Sequence, residues 1–76
     1  MASYANATYV RDKVTETLLQ MMREQDYQTI SISDLVQKAD VSRSSFYRNF
    51  TDKDDVVRNY LKRLIKDWEY TFSITE

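Results

Sequence analysis

Apolar residues recur at helical spacing in the first third of the chain. From Val10 to Met22 they fall at i, i+4, i+8, i+11 and i+12, with charged residues largely between them. This spacing predicts a first helix, which Asn6 or Thr8 is placed to cap. We expect Asp26 to end it, because aspartate is one of the few residues besides glycine that enters the left-handed backbone conformation.

Two serines mark the beginnings of two short helices. Ser31 is placed to cap a second helix of about eight residues, with Asp34 three positions later in a box-like arrangement. We expect Asp40 to end this helix and Ser42 to cap a third helix over residues 42–50. Two short helices joined by a three-residue turn form a helix-turn-helix unit, whose second helix enters the major groove of DNA.

The third helix has two unlike faces. Phe46 and Phe50 lie four residues apart on one face, which we assign to the core. Val41 and Phe46 are placed as a hydrophobic staple, as Ile30 and Leu35 are for the second helix. The opposite face is polar, cationic and aromatic, and it carries Arg43, Ser44, Tyr47 and Arg48, with Asn49 beside them.

A fourth helix is predicted from Asp52 onward, where Asp54 and Asp55 suit the positive end of the helix dipole. A helix over residues 52–72 would be about 30 Å long. Because connections are short and no segment alternates like a β-strand, the predicted fold is all-α, a small helical bundle with a long fourth connector helix. The apolar stripe of that helix is expected at Val57, Leu61, Leu64, Ile65, Trp68 and Phe72.

The composition excludes several kinds of chemistry. The 76 residues include no cysteine or histidine, which removes thiolate zinc sites, cysteine nucleophiles and the commonest general base. Without glycine, a P-loop or dinucleotide-binding fingerprint cannot form. The acidic run at 52–55 does not fit a calcium loop, because Val56 takes the fifth position and the required glycine is missing. We therefore expect a protein that is not an enzyme and has no cofactor and no metal site.

Charge is distributed unevenly, although the net charge is only −1. Residues 38–66 contain eight lysines and arginines against four aspartates, a local charge of +4, and the remainder carries −5. A positive segment can meet an anionic partner because the local field governs the contact. No apolar run approaches the ~18 residues of a membrane span and no signal-peptide core is present, so we expect a cytoplasmic protein without a membrane partner.

The segment from Ser31 to Lys53 resembles the DNA-binding domain of TetR/AcrR-type transcriptional regulators. The resemblance covers about residues 10–60 and rests on elements shared with the family pattern, which are Ala39, Val41 with Ser42, Tyr47, Phe50 and Lys53. The chain departs from that pattern at four positions, where Asp26 and Asp40 stand for glycine, Val36 for alanine and Asn49 for histidine.

The resemblance implies that the third helix reads double-stranded DNA. Arg43 is placed to read guanine through O6 and N7, and Tyr47 and Asn49 to hydrogen-bond phosphates, with Arg48 on the same surface. The full set of DNA-binding residues expected on this basis is Ser31, Ser42, Arg43, Ser44, Ser45, Tyr47, Arg48, Asn49 and Lys53.

Some of these residues have a structural explanation beside the functional one. Ser31 and Ser42 are first of all caps, although the helix N-termini they cap can also present amides to phosphates. Ser45 suits the start of a helix about as well as it suits a DNA contact. Lys53 lies in a first helical turn, where a cation opposes the dipole, so we expect a nearby phosphate rather than local structure to explain it.

Three segments are expected along the chain: an N-terminal tail at 1–8, a three-helix DNA-binding domain at 9–51, and a fourth helix at 52–76 leading to an absent effector-binding domain. The resemblance implies a repressor that is a homodimer at full length, a palindromic operator, and a small-molecule effector acting through the absent domain. A seam with further chain or another copy is suggested by four large side chains near the end, Trp68, Tyr70, Phe72 and Ile74.

A different class of function stays open. Residues 57–72 form a basic amphipathic helix of the kind that binds partner proteins or lies on membrane surfaces. Asp67 and Glu69, together with the motif upstream, favour the DNA-binding interpretation over a membrane surface. The cations that flank its apolar stripe are Arg58, Lys62, Arg63 and Lys66.

Overall fold

Helices account for nearly all of the chain that the structure, a computed structural model, describes, which is residues 7–75 with side chains up to Trp68. Those residues contain no strand, which confirms the all-α prediction. A 3-10 turn, Tyr27–Thr29, joins the first two helices. The α-helices in chain order are α1 (Ala7–Glu24), α2 (Ile32–Ala39), α3 (Arg43–Asn49) and α4 (Lys53–Thr75).

The first helix is longer than its apolar pattern indicates. Because α1 begins at Ala7, residues 7 and 8 are helical and do not belong to a tail. Thr8 lies inside the helix and is not its cap, and Asn6 lies outside the described residues. Thr15 is buried on α1, where its hydroxyl donates a 2.7 Å hydrogen bond to the carbonyl oxygen of Arg11.

The end of α2 has the left-handed backbone predicted for Asp40. Its φ is 61° and its ψ is 45°, and it is the one residue with positive φ in the described chain. The amide of Asp40 donates to the carbonyl oxygen of Gln37 (3.2 Å), and the amide of Val41 donates to that of Val36 (3.1 Å). These two bonds form a Schellman motif, with aspartate at the position where glycine is usual.

The prediction of a left-handed conformation at Asp26 is wrong. Its φ is −63° and its ψ is 138°, which is extended backbone. The reason is that Asp26 opens the 3-10 turn, and its carbonyl oxygen accepts both the amide (3.0 Å) and the hydroxyl (2.7 Å) of Thr29. An extended residue at this position needs no glycine.

A serine side chain caps α2 as predicted, and aspartate side chains cap α4. The hydroxyl oxygen of Ser31 accepts the amide of Asp34 at 3.0 Å at the start of α2. At the start of α4, the Asp52 carboxylate accepts the amide of Asp55 (2.8 Å), and the Asp55 carboxylate accepts the amide of Thr51 (2.9 Å). These two bonds, which resemble a capping box, fix the corner between α3 and α4.

The core lies where α1, α2 and α3 meet the first turn of α4. Phe46 and Leu35 are fully buried, and Phe50 is 3% exposed, so the assignment of both phenylalanines to the core is confirmed. The centroids of the two phenylalanine rings are 5.5 Å apart. The buried apolar residues are Val10, Val14, Leu18, Met21, Ile30, Leu35, Val36, Ala39, Phe46, Phe50 and Val56.

Most of the apolar stripe predicted on α4 lies outside the core. Val56 is the buried residue of α4, at 1% exposure, and Val57 is partly buried beside it. The helix continues past the three-helix core, so the positions beyond its second turn have no core to enter among the described residues. Phe72 lies outside the described side chains, as do Tyr70 and Ile74. The stripe residues that are about half exposed or more are Leu61, Leu64, Ile65 and Trp68.

The left-handed residue gives a stability prediction. Asp40→Gly should raise the free energy of unfolding by about 0.5–1 kcal/mol, because glycine has no Cβ penalty at φ 61° and the change removes an anion from a helix C-terminus. Asp26→Gly is the matched control. It should lower the free energy by about the same amount, because glycine gains only unfolded-state entropy at an extended position. Urea unfolding measures the change in the free energy of unfolding for both variants. Changes of the same sign would contradict the assignment of Asp40 as left-handed and Asp26 as extended.

The cap at Asp55 gives a pH prediction. The hydrogen bond from the Thr51 amide, with a further contribution from Arg58, holds the pKa of the Asp55 carboxyl below its ordinary value. A lowered pKa in the folded state gives stability that is present above the unfolded pKa of about 4 and is lost as the pH falls. Asp55→Asn should therefore flatten the acid side of the stability–pH curve measured by urea unfolding. Glu16→Gln, which removes an exposed carboxylate from the middle of α1 without removing this bond, should leave that slope in place.

Candidate nucleic-acid interface

The segment from α2 to α3 has the proportions of a helix-turn-helix. An eight-residue helix, a turn at Asp40–Ser42 and a seven-residue helix follow one another. Leu35 and Ala39 of α2 and Phe46 of α3 all enter the core that α1 shares. Both short helices are therefore held on α1 by their inner faces.

The outer face of α3 is open to solvent. Arg43, Ser44 and Arg48 are exposed, and Tyr47 is 48% exposed. The ring of Tyr47 meets that of Phe46 edge to face, with 5.1 Å between centroids. The aromatic ring thus covers the edge of the core while about half of the side chain remains accessible. The sequence prediction of two unlike faces on α3 is confirmed.

The serines at the start of α3 are hydrogen-bonded to one another. The hydroxyl oxygen of Ser42 accepts the amide of Ser45 (3.0 Å), and its hydroxyl donates to that of Ser45 (2.9 Å). The hydroxyl of Ser44 lies 3.3 Å from that of Ser42 and is exposed. Ser42 is thus an exposed cap, Ser45 is half-buried beside it, and Ser44 is exposed.

Asn49 is half-buried at the end of α3. Its side-chain amide donates a 2.9 Å hydrogen bond to the carbonyl oxygen of Ser45, one turn earlier. A carboxamide has two N–H donors. The bond to Ser45 fixes the side chain and leaves the second donor for another acceptor.

Arg43 is linked to α2 through a residue that the sequence analysis missed. Its Nη1 donates to the hydroxyl oxygen of Ser33 at 2.6 Å, across the helix-turn-helix. The bond holds the guanidinium next to the N-terminal turn of α2. No sequence pattern identifies this pair, because the two residues are ten positions apart and belong to different helices. Ser33 is thus added to the candidate interface.

Lys53 has a structural role, so the argument that local structure gives no reason for a cation there is wrong. Its Nζ donates to the carbonyl oxygens of Tyr27 (2.7 Å) and Ile30 (2.8 Å) and lies 4.1 Å from the centroid of the Tyr27 ring. The ammonium group of Lys53 is thus hydrogen-bonded to carbonyl oxygens of the segment before α2. No phosphate is needed to explain a cation at this position. A DNA contact by Lys53 stays a prediction.

The neighbouring phenol completes this attachment of α4. The hydroxyl of Tyr27 donates to the Asp54 carboxylate. Burial and this hydrogen bond raise the pKa of Tyr27, so the phenol is protonated at neutral pH. Lys53 and Asp54 thus hold the first turn of α4 against the segment that leads into α2.

The described residues contain no group of acidic side chains arranged to hold a metal ion. In the same part of the chain, no helix has the length and apolar character needed to cross a membrane.

The fold and the outer face of α3 define a helix-turn-helix domain of the DNA-binding kind. The sequence model for "Bacterial regulatory proteins, tetR family" matches residues 14–60, which is more than half of the chain. The chain belongs to this family, whose members are DNA-binding regulators rather than enzymes.

A curated relative agrees with this assignment. The "Uncharacterized HTH-type transcriptional regulator YxbF" of Bacillus subtilis (strain 168) is 30% identical over 54 residues, which is 70% of this chain and 14% of that protein. The chain thus spans a small part of the relative's length. No solved structure matches the chain.

The Lys53 contacts give a prediction about stability that does not involve DNA. Lys53→Met keeps most of the apolar stem and removes two charged hydrogen bonds, so it should lower the free energy of unfolding by about 1.5–3 kcal/mol. Lys38→Met, at an exposed position in the last turn of α2, should cost much less. Urea unfolding of both variants makes the comparison, and equal losses would show that the bonds of Lys53 contribute nothing particular.

Proposed function

We propose that the chain binds double-stranded DNA sequence-specifically, with α3 in the major groove. The observation that carries this proposal is the division of α3 into two faces. Phe46 and Phe50 anchor its inner face, while Arg43, Ser44 and Arg48 stand exposed on the outer one. A helix held in this way presents its N-terminal residues to base edges.

Base reading is assigned to the first turn of α3. Arg43 donates two N–H groups to the O6 and N7 of guanine, a contact worth about 1–3 kcal/mol of discrimination. Its bond to Ser33 supports this role, because a guanidinium already held in place loses less freedom on binding. Ser44, with its exposed hydroxyl, is the second base-reading candidate.

Phosphate contacts are assigned to the residues around this centre. Tyr47 and Asn49 hydrogen-bond phosphates through the phenol and the free amide donor, and Arg48 adds a charge beside them. Ser31, Ser42 and Ser45 contribute through the helix starts they cap or adjoin. A phosphate contact by Lys53 has to compete with its two hydrogen bonds to the carbonyl oxygens of Tyr27 and Ile30.

The finer features of the regulator are also part of the proposal. The full-length protein is a cytoplasmic homodimer whose two α3 helices enter successive major grooves about 34 Å apart on a palindromic operator. It acts as a repressor, and a small-molecule effector bound by a further domain changes the separation of the helices. The 76-residue chain alone binds one half-site, so its binding is weak and sensitive to salt.

A second candidate function is a protein-interaction or membrane-surface role for residues 57–72. The observation in its favour is that Leu61, Leu64 and Ile65 are exposed on α4. Co-sedimentation with anionic liposomes tests the membrane version. Retention on the liposomes without any binding to DNA would replace the first proposal with the second.

Binding to duplex DNA is tested with point variants. Arg43→Ala should weaken binding to the preferred half-site by roughly tenfold and relax the preference at one base position, because one bidentate base contact is lost. Arg23→Ala, which removes a cation among Glu16, Gln20 and Glu24 on α1, should bind like the parent. Fluorescence anisotropy with a set of single-base variants of the duplex measures both. Identical base preferences in parent and Arg43→Ala would contradict the assignment of Arg43.

A further inference from the structure

A cleft between α1 and α4 gathers four basic side chains at one place. Its volume is about 390 Å³, within the range of small-molecule sites. Arg11 comes from α1, and Lys62, Arg63 and Lys66 come from α4. Asp12 is the one carboxylate among the lining residues whose side chains are described.

This concentration of charge is not balanced within the described part of the fold. Arg63 and Asp12 are 3.5 Å apart, but their side chains are 57% and 51% exposed, so their attraction is weak. Lys62 and Lys66 lie four positions apart on one helix, where like charges repel. The ion pairs of the described residues involve Arg58 and Arg63 and leave Arg11, Lys62 and Lys66 without a carboxylate.

Two of the uncharged polar side chains that line the cleft already have hydrogen-bond partners. The hydroxyl of Thr15 donates to the carbonyl oxygen of Arg11, and the amide of Asn59 donates to the carbonyl oxygen of Asp55. Phe50, which is 3% exposed, lines the cleft from the end of α3. The four cations therefore dominate recognition here, which suits a ligand with several anionic oxygens.

We propose that this cleft binds a phosphate-bearing anion. A phosphate monoester carries nearly two charges and three acceptor oxygens, and a backbone phosphodiester carries one charge and two such oxygens. Either can be shared by cations from both helices. The site is separate from the proposed DNA-reading surface, since it includes none of the residues assigned to that surface. The phosphate belongs either to a small phosphorylated molecule or to the backbone of bound DNA.

The test is an NMR titration of the 76-residue chain with pyrophosphate at constant ionic strength. The amides of Thr15, Asn59 and Tyr60 should shift and saturate. Lys62→Gln combined with Lys66→Gln should weaken the binding by roughly tenfold or more, because two charge-assisted contacts are lost. Both lysines are exposed, so the fold should persist, which circular dichroism verifies.

Two controls make the result decisive. Arg23→Gln combined with Lys38→Gln removes the same charge from exposed positions outside the cleft and should bind pyrophosphate like the parent. Arg43→Ala should also leave this binding unchanged, which separates the site from the proposed DNA-reading surface. Shifts that grow without saturation, or an equal loss in the charge-matched control, would overturn the proposal.

A titration with a short DNA duplex identifies the source of the phosphate. If the duplex shifts the same three amides and pyrophosphate competes with it, the cleft holds a backbone phosphate. If pyrophosphate shifts them and the duplex does not, the ligand is a small phosphorylated molecule. Either result supports an anion site, and the second does so even if DNA binding by α3 fails.

Discussion

The burial of Phe46 is the constraint on which the interface depends. A helix of seven residues is not stable alone in water, because too few hydrogen bonds follow its nucleation. The side chain of Phe46 is fully buried, and its ring centroid lies 5.5 Å from that of Phe50. The inner face of α3 can therefore enter the core in one orientation only. Since Arg43 and Tyr47 are fixed relative to Phe46 by helix geometry, the packing of one side chain decides which groups face outward.

Because the chain has no glycine, aspartate occupies turn and cap positions where glycine is common. Asp40 takes the left-handed position after α2, at a cost that the two Schellman hydrogen bonds and the partial burial of Val41 offset. Asp26 and Asp52 use extended or capping geometry, for which aspartate is well suited. Over residues 7–75 the chain thus has one left-handed residue, an aspartate in place of glycine, and the turn at Asp26 needs none.

Local patterns predicted the features that neighbouring residues determine. The caps at Ser31 and Ser42 and the two faces of α3 depend on side chains within one turn of each other, so spacing alone reveals them. The bonds of Lys53 to Tyr27 and of Arg43 to Ser33 join distant positions, for which one sequence contains no signal.

The apolar stripe of α4 shows that sharing a face and being buried are separate properties. Periodicity shows which residues share a face, but it does not show whether another element covers that face. Val56 is buried because the core reaches it, whereas Ile65 is 55% exposed further along the same helix.

The positive segment between residues 38 and 66 shows why charge must be read by position rather than by sum. Lys53 is hydrogen-bonded to backbone carbonyls, and Arg58 lies 3.5 Å from Asp55. These two cations therefore already have partners within the fold. Arg43 and Arg48 stand on the outer face of α3. A net charge of −1 would argue against DNA binding if charges acted at a distance, but screening limits them to about 8–10 Å at physiological salt. Within that range, the outer face of α3 presents two arginines, and this local field is what the proposed DNA binding requires.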